Sequence, residues 1–174
     1  LYRQSLSLYE ITKAQNSMNI KMLFVGKTDN KNLFTLIEKY QKKISFYVKF
    51  QIEIIPDIKS TKNFSENQQK GQEGTLILSK ITPQDEIVLF DQNGKALSSV
   101  EFSEFLQKKM NAGVKNLVFV IGGPYGFSQE VYKQADDKIS LSPMTFSHQM
   151  VRLFAIEQLY RGFTILNNQP YHHQ

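Results

Sequence analysis

Five short apolar runs, separated by segments with helical spacing, constrain this chain more than any other feature. The runs are Lys21–Val25, Val48–Ile54, Glu86–Phe90, Leu117–Ile121 and Ile139–Leu141. Each has strand length, and most are closed by glycine, proline or a polar turn such as Asp91-Gln92-Asn93-Gly94. Leu117–Ile121 is apolar at every position, as expected of a central strand covered on both faces. Strands alternating with helices predict a single-domain α/β fold, a parallel sheet flanked by helices.

The intervening segments carry their own signals. Leu33, Leu36, Ile37, Tyr40 and Ile44 recur at helical spacing with lysines between them. Residues 57–67 are polar and read as a mobile loop, followed by a helix ending before Pro83, whose propensity Gly71 and Gly74 lower. Ser98 with Glu101 three residues later is a capping-box pattern, opening a helix that Gly113 stops. Ser128 caps a short helix to Ala135, and the last helix is expected from Ser147 to Gly162. A polar tail follows from Asn167.

At 174 residues the chain suits one core-bearing domain, and its lack of cysteine excludes disulfides and thiolate metal sites. No metal is expected. Residues 1–17 are interrupted by Arg3, Glu10 and Lys13, which excludes the uncharged core of a signal peptide. The coherent pattern begins at Met18, so 1–17 are expected to be an extension outside the native fold and 18–174 the domain. A cytoplasmic location follows by default. The net charge is +5, and the segment Met18–Phe50 holds seven lysines against Asp29 and Glu38. Such a face attracts phosphate backbones or is simply solvated; charge alone leaves both open.

Ligands of open α/β sheets bind beyond the carboxyl ends of the strands. Three such ends stand out: Phe90-Asp91, the Gly122-Gly123-Pro124-Tyr125-Gly126 loop, and Leu141-Ser142-Pro143-Met144-Thr145-Phe146. The glycine loop matches neither a dinucleotide fingerprint nor a P-loop. It suits a ligand held by main-chain groups and apolar walls, although its residues alone favour a plain structural turn. His148 and Arg152 are four apart on the last helix and share a face.

Together these segments carry a resemblance. Ile121–Gly126, the run Leu141-Ser142-Pro143-Met144-Thr145-Phe146-Ser147-His148-Gln149-Met150-Val151-Arg152, Glu157–Arg161 and Tyr171-His172 resemble the RlmH family of SPOUT RNA methyltransferases. Lys21–Lys27 and Leu89–Lys95 resemble it too, so the match runs from Met18 to the C-terminus. The resemblance implies a homodimer with a C-terminal trefoil knot. It implies S-adenosyl-L-methionine as cofactor and, as substrate, N3 of the pseudouridine at position 1915 in helix 69 of 23S rRNA on the ribosome. By position, Phe90, Gly122, Leu141, Ser142, Pro143, Met144, Thr145 and Phe146 would hold the cofactor. His148, Arg152, Arg161, Tyr171 and His172 would face the RNA. Two departures are visible: His173-Gln174 stands where the family has Lys or Arg after Tyr-His, and Ser147 where it commonly has Pro.

Methyl transfer from a sulfonium is an in-line displacement, so holding the nucleophile is the main task. His172 is the candidate base or orienter; positioning alone, with loss of the imide proton to water, is the alternative. A bulky residue at Gly122 is expected to block the cofactor while sparing the fold. Two other functions fit the same residues: a SPOUT enzyme acting on transfer RNA, and an inert α/β protein that binds the ribosome through its lysines.

Overall fold

The computed structural model describes residues 18–58 and 63–172. The expected extension, residues 1–17, lies outside the described residues, as do 59–62 of the expected mobile loop and the His173-Gln174 ending.

The five apolar runs become five parallel strands: β1 (Asn19–Val25), β2 (Lys49–Ile55), β3 (Asp85–Ala96), β4 (Asn116–Ile121) and β5 (Asp137–Ser140). Their order across the sheet is β2-β1-β4-β3-β5. The helices between them are α1 (Lys31–Ile44), α2 (Glu66–Leu78), α3 (Ser99–Asn111), α4 (Gln129–Gln134) and α5 (His148–Leu166). β4 is central, and its residues Leu117 to Val120 are wholly inaccessible to solvent. Alternate side chains go to two separate cores. Met22, Phe24, Val88, Phe90 and Phe119 pack with residues of α1, α3 and α5 on one face. Leu23, Val25, Leu89, Val118 and Val120 pack with Ile77 of α2 and Val131 of α4 on the other. Fully burying one such large apolar side chain contributes about 1.5–3 kcal/mol, so both faces must be covered for the sheet to persist.

Helix starts are set by side-chain caps. Ser98 and Ser65 each form a complete capping box, with Glu101 and Gln68 respectively. Asn30, Ser128 and Ser147 cap α1, α4 and α5 through their side-chain oxygens. Each cap is worth about 1 kcal/mol. Because Ser65 already caps α2, the polar stretch expected to run to Asn67 ends two residues earlier.

Two boundaries differ from the sequence reading, each for a packing reason. The turn at Asp91–Gly94 does not end β3. The strand pairs with β5 up to Phe90, swings out, and pairs again at Lys95 and Ala96. A Cβ on Gly94 would lie 2.6 Å from the Ile139 backbone, so only glycine lets the excursion close against β5. Likewise α5 does not stop at Gly162 but continues to Leu166. Gly162 faces α3, where a Cβ would stand 2.8 Å from a Leu106 methyl. It permits close helix approach rather than marking a terminus.

Candidate active site

The carboxyl ends of β3, β4 and β5 open onto one cleft of about 520 Å³. Its walls come from the β3 excursion (Asp91, Gln92, Asn93), the Gly122–Phe127 loop after β4, the segment after β5, and the starts of α2 and α5. A smaller hollow of about 340 Å³ adjoins it, sharing Phe90, Ser140, Leu141, Ser142 and Phe146 and reaching Phe102 and Phe154. Of the residues expected at the cofactor, Phe90, Gly122, Leu141, Ser142, Met144, Thr145 and Phe146 line the cleft; Pro143 does not. Turn bonds shape the last segment: Ser140 Oγ donates to the Ser142 carbonyl at 3.0 Å, and the Met144 amide donates to Ser142 Oγ at 2.9 Å. Met144 is 73% exposed, so an apolar side chain stands at the rim with nothing covering it in this chain.

Gly122 and Gly123 serve different ends. A Cβ on Gly122 would meet the Phe127 ring at 3.0–3.4 Å, so a side chain there presses on a ring that itself lines the cleft. The expectation that a large residue there spares the fold is therefore at odds with the packing. A Cβ on Gly123 would fall 2.6–3.0 Å from the carboxyl of Glu73 on α2.

The polar groups around the cleft are unevenly matched. Tyr132 donates to Asp91, and burial together with that carboxylate pushes its pKa up to about 12. His148, at the start of α5, lines the cleft. Burial and the neighbouring Arg152 hold its pKa down against the pull of Asp57 and Asp29. Glu73 is 5% exposed; its Oε1 accepts from Gln69 at 2.8 Å while Oε2 has no partner. Burial pushes its carboxyl up, and Asp57 adds to the effect. Apolar and aromatic walls, main-chain turn groups and anionic side chains suit an adenosine carrying a positively charged tail.

Arg152 is not presented to solvent. It is wholly buried, donating through Nη2 to the Val25 carbonyl at 2.6 Å and through Nη1 to Thr28 Oγ1 at 2.9 Å. Its guanidinium lies 5.5 Å from the centre of the Phe24 ring. In this chain it ties α5 to the end of β1, unlike a residue facing RNA.

Arg161, Tyr171 and His172 gather elsewhere, against the second half of α5. Tyr171 donates to Glu157 Oε1 at 3.1 Å, which leaves its oxygen to accept from Tyr40, also at 3.1 Å. Its ring meets Tyr160 edge-on at 4.8 Å. Arg161 pairs with Glu157 at 2.6 Å, lies over the Tyr171 ring, and approaches His172 Nδ1 at 3.4 Å. Lys43 of α1 sits over the rings of Tyr160 and Tyr40. At about 1.5 Å per residue, Glu157 and Arg161 stand about 9 and 15 Å along α5 beyond Val151, the last α5 residue lining the cleft. The structure thus divides the expected RNA-facing residues: His148 at the cleft, Arg152 inside, and the tail group apart. The sequence reading named Asp91 only as a strand end and gave no role to Glu73, Tyr132, Tyr40, Lys43 or Glu157. Only Glu157 had a local signal, its i,i+4 spacing to Arg161.

A family model described as "Predicted SPOUT methyltransferase" matches residues 18–172. The chain is similar to the protein named ribosomal RNA large subunit methyltransferase H from Flavobacterium psychrophilum, at 71% identity over 157 residues, 90% of this chain and 100% of that protein. Proteins of the same name from Flavobacterium johnsoniae and Christiangramia forsetii are 70% and 64% identical, over the same shares of both chains.

Proposed function

The chain belongs to the SPOUT methyltransferase family, and from that premise we propose that it methylates large-subunit ribosomal RNA at N3 of pseudouridine 1915, using S-adenosylmethionine. The observation that carries the reading is convergence. Residues from three separated segments, Phe90, Gly122, and Leu141, Ser142 and Met144–Phe146, meet at one cleft beyond the carboxyl ends of adjacent strands. The relatives' shared name supplies the substrate class. The C-terminal knot and a cytoplasmic site of action belong to the same reading; no helix among the described residues is long and apolar enough to cross a membrane.

When bound, S-adenosylmethionine would supply an activated methyl group at the cleft. The chain's own residues then have three tasks. Phe90, Leu141 and Phe146 offer apolar walls for the adenine, and the turn at Ser142–Met144 offers main-chain groups for its edges. His148 stands at the mouth, where an incoming base must pass. The exposed lysines of the first segment, Lys27, Lys31, Lys39, Lys42 and Lys49, draw the RNA backbone electrostatically.

The tail bears on the cleft of a second subunit. Tyr171 and His172 are held on α5 away from their own cleft, and a two-fold dimer would bring them to the partner's. Met150, Leu153 and Phe154 remain half-buried in the single chain, and Phe146 and Met144 are exposed, which supports an apolar contact beyond this subunit. In that arrangement His172 acts as base or orienter for the imide N3–H, a loop base being free to splay out and stack on Tyr171.

The first experiment is a calorimetric titration with S-adenosylmethionine, followed by methylation of 70S ribosomes, free 50S subunits and tRNA. Cofactor binding with transfer to ribosomal RNA is expected. Transfer to tRNA alone would replace the substrate, and no cofactor binding would overturn the enzyme reading.

A further inference from the structure

Glu73 is a buried carboxylate that the proposed reaction does not use, and its surroundings do not explain it as packing. Its Oε2 has no hydrogen-bond partner, and Gln69 satisfies only Oε1. A buried, half-paired carboxylate is costly, and a glutamine or an apolar residue would fill the same space more cheaply. Its position shows what it faces. Glu66, Lys70 and Glu73 fall at i, i+4 and i+7 on α2, one stripe of the helix. Glu66 and Lys70 line the cleft; Glu73 continues the stripe beneath the Gly123 backbone, which forms the cleft wall. Any side chain at position 123 would strike the carboxyl, so the glycine lets a negative charge approach the cleft to within the thickness of one residue.

We propose that Glu73 is the counter-charge for the sulfonium of S-adenosylmethionine, giving the cleft its preference for the charged cofactor over the neutral thioether product. This rests on the cofactor reading above and goes beyond it. The carboxylate acts through the wall rather than by contact. That suits a sulfonium, which has no N–H to donate, better than an ammonium, which would demand a direct hydrogen bond. The low polarity around Glu73 strengthens the interaction relative to one in water, and a cation at the cleft would offset the burial that pushes the carboxyl's pKa up. The consequence is product release: once the methyl has left, the charge on sulfur is gone and so is the attraction.

The test is calorimetric titration of the full chain and of Glu73→Gln with three ligands: S-adenosylmethionine, sinefungin (an ammonium replaces the sulfonium) and S-adenosylhomocysteine (neutral at sulfur). The amide should weaken the two cationic ligands by about tenfold and leave the thioether within about twofold, since only the charge–charge contribution is removed. Equal weakening of all three, or no change in any, would overturn the proposal. Gln69→Ala provides the second variant should Glu73→Gln fail to fold. It removes the one hydrogen bond that favours the ionised carboxyl, so the preference for the cations should be lost at a higher pH than in the unaltered chain; an unshifted pH profile in a folded protein refutes the assignment. Wild-type protein that binds none of the three would instead defeat the cofactor reading.

Discussion

Truncating Arg152 to alanine separates a structural strap from an RNA contact. The side chain is wholly buried, so two methylenes, Cγ and Cδ, leave the core, a loss of about 0.8 kcal/mol each. Its hydrogen bonds to the Val25 carbonyl and Thr28 hydroxyl are charge-assisted and worth roughly 1.5–3 kcal/mol apiece. Opposing these, removing a guanidinium whose Nε has no partner recovers several kcal/mol of its desolvation cost, approximately. The net expectation is a destabilisation of about 2–4 kcal/mol, within the usual range for emptying a large buried side chain. In a domain of this size that lowers Tm by roughly 5–15 °C. Urea denaturation gives the free energy, and ribosome binding is measured below the melting range at several salt concentrations. A residue that contacts phosphate would reduce the salt slope by about one while leaving stability alone. An unchanged urea midpoint with a shallower salt slope would refute the strap.

Gly122→Val should strike the Phe127 ring, costing about 1–3 kcal/mol of stability as well as cofactor affinity, and both are read by denaturation and calorimetry. Tyr132 keeps its proton to about pH 12 when folded, against 10.0 ordinarily. The folded state therefore holds a proton that the unfolded chain loses, and the stability this group contributes below pH 10 is lost as pH rises towards 12. Tyr132→Phe should flatten that part of the stability curve, which chemical denaturation across the range will show. Ribosome affinity should fall steeply with salt, and Lys39→Gln with Lys42→Gln should lessen the slope by nearly two; a salt-independent affinity would make the lysines merely solvated. A subunit carrying Gly122→Val, mixed with one lacking residues 171–174, should regain methylation, whereas dead mixtures despite proven subunit exchange would sink the shared site.

The strands were legible because their burial is written locally: Leu117–Ile121 is apolar throughout and occupies the centre of the sheet. Caps were legible for the same reason, Ser98 and Glu101 satisfying each other within four residues. What escaped depends on partners distant in the chain. Nothing near Lys95 announces that it resumes pairing with β5 after a turn. Nothing near Arg152 announces that residues more than 120 positions away will enclose it; on an amphipathic helix an arginine reads as solvated. The cofactor segments were assembled from resemblance, whereas Glu73 lay in a helix among nine other polar or small residues, and only the approach of Gly123 marks it out.

The central pairing of the sheet sets the order in which this protein can come into being. β1 meets β4 at Asn19 and Asn116, 97 residues apart. Every strand pair is parallel, so no hairpin can nucleate the sheet. Two local units can form early, β1-α1-β2 and β3-α3-β4, each closing a modest loop. Joining them across β1 and β4 closes the long one, and long-range parallel pairing of this kind is slow. During synthesis at about 5–20 residues per second, β1 is exposed for several seconds before β4 exists. The cleft is later still, because its last wall, Leu141–Phe146, follows β5. A nascent chain therefore holds an apolar strand paired on one edge only, and no cofactor site, until most of its length has been made. Cofactor supplied during translation can stabilise only chains that have nearly finished, and protection of Met22 and Phe24 from chaperone capture must come from early pairing with β2.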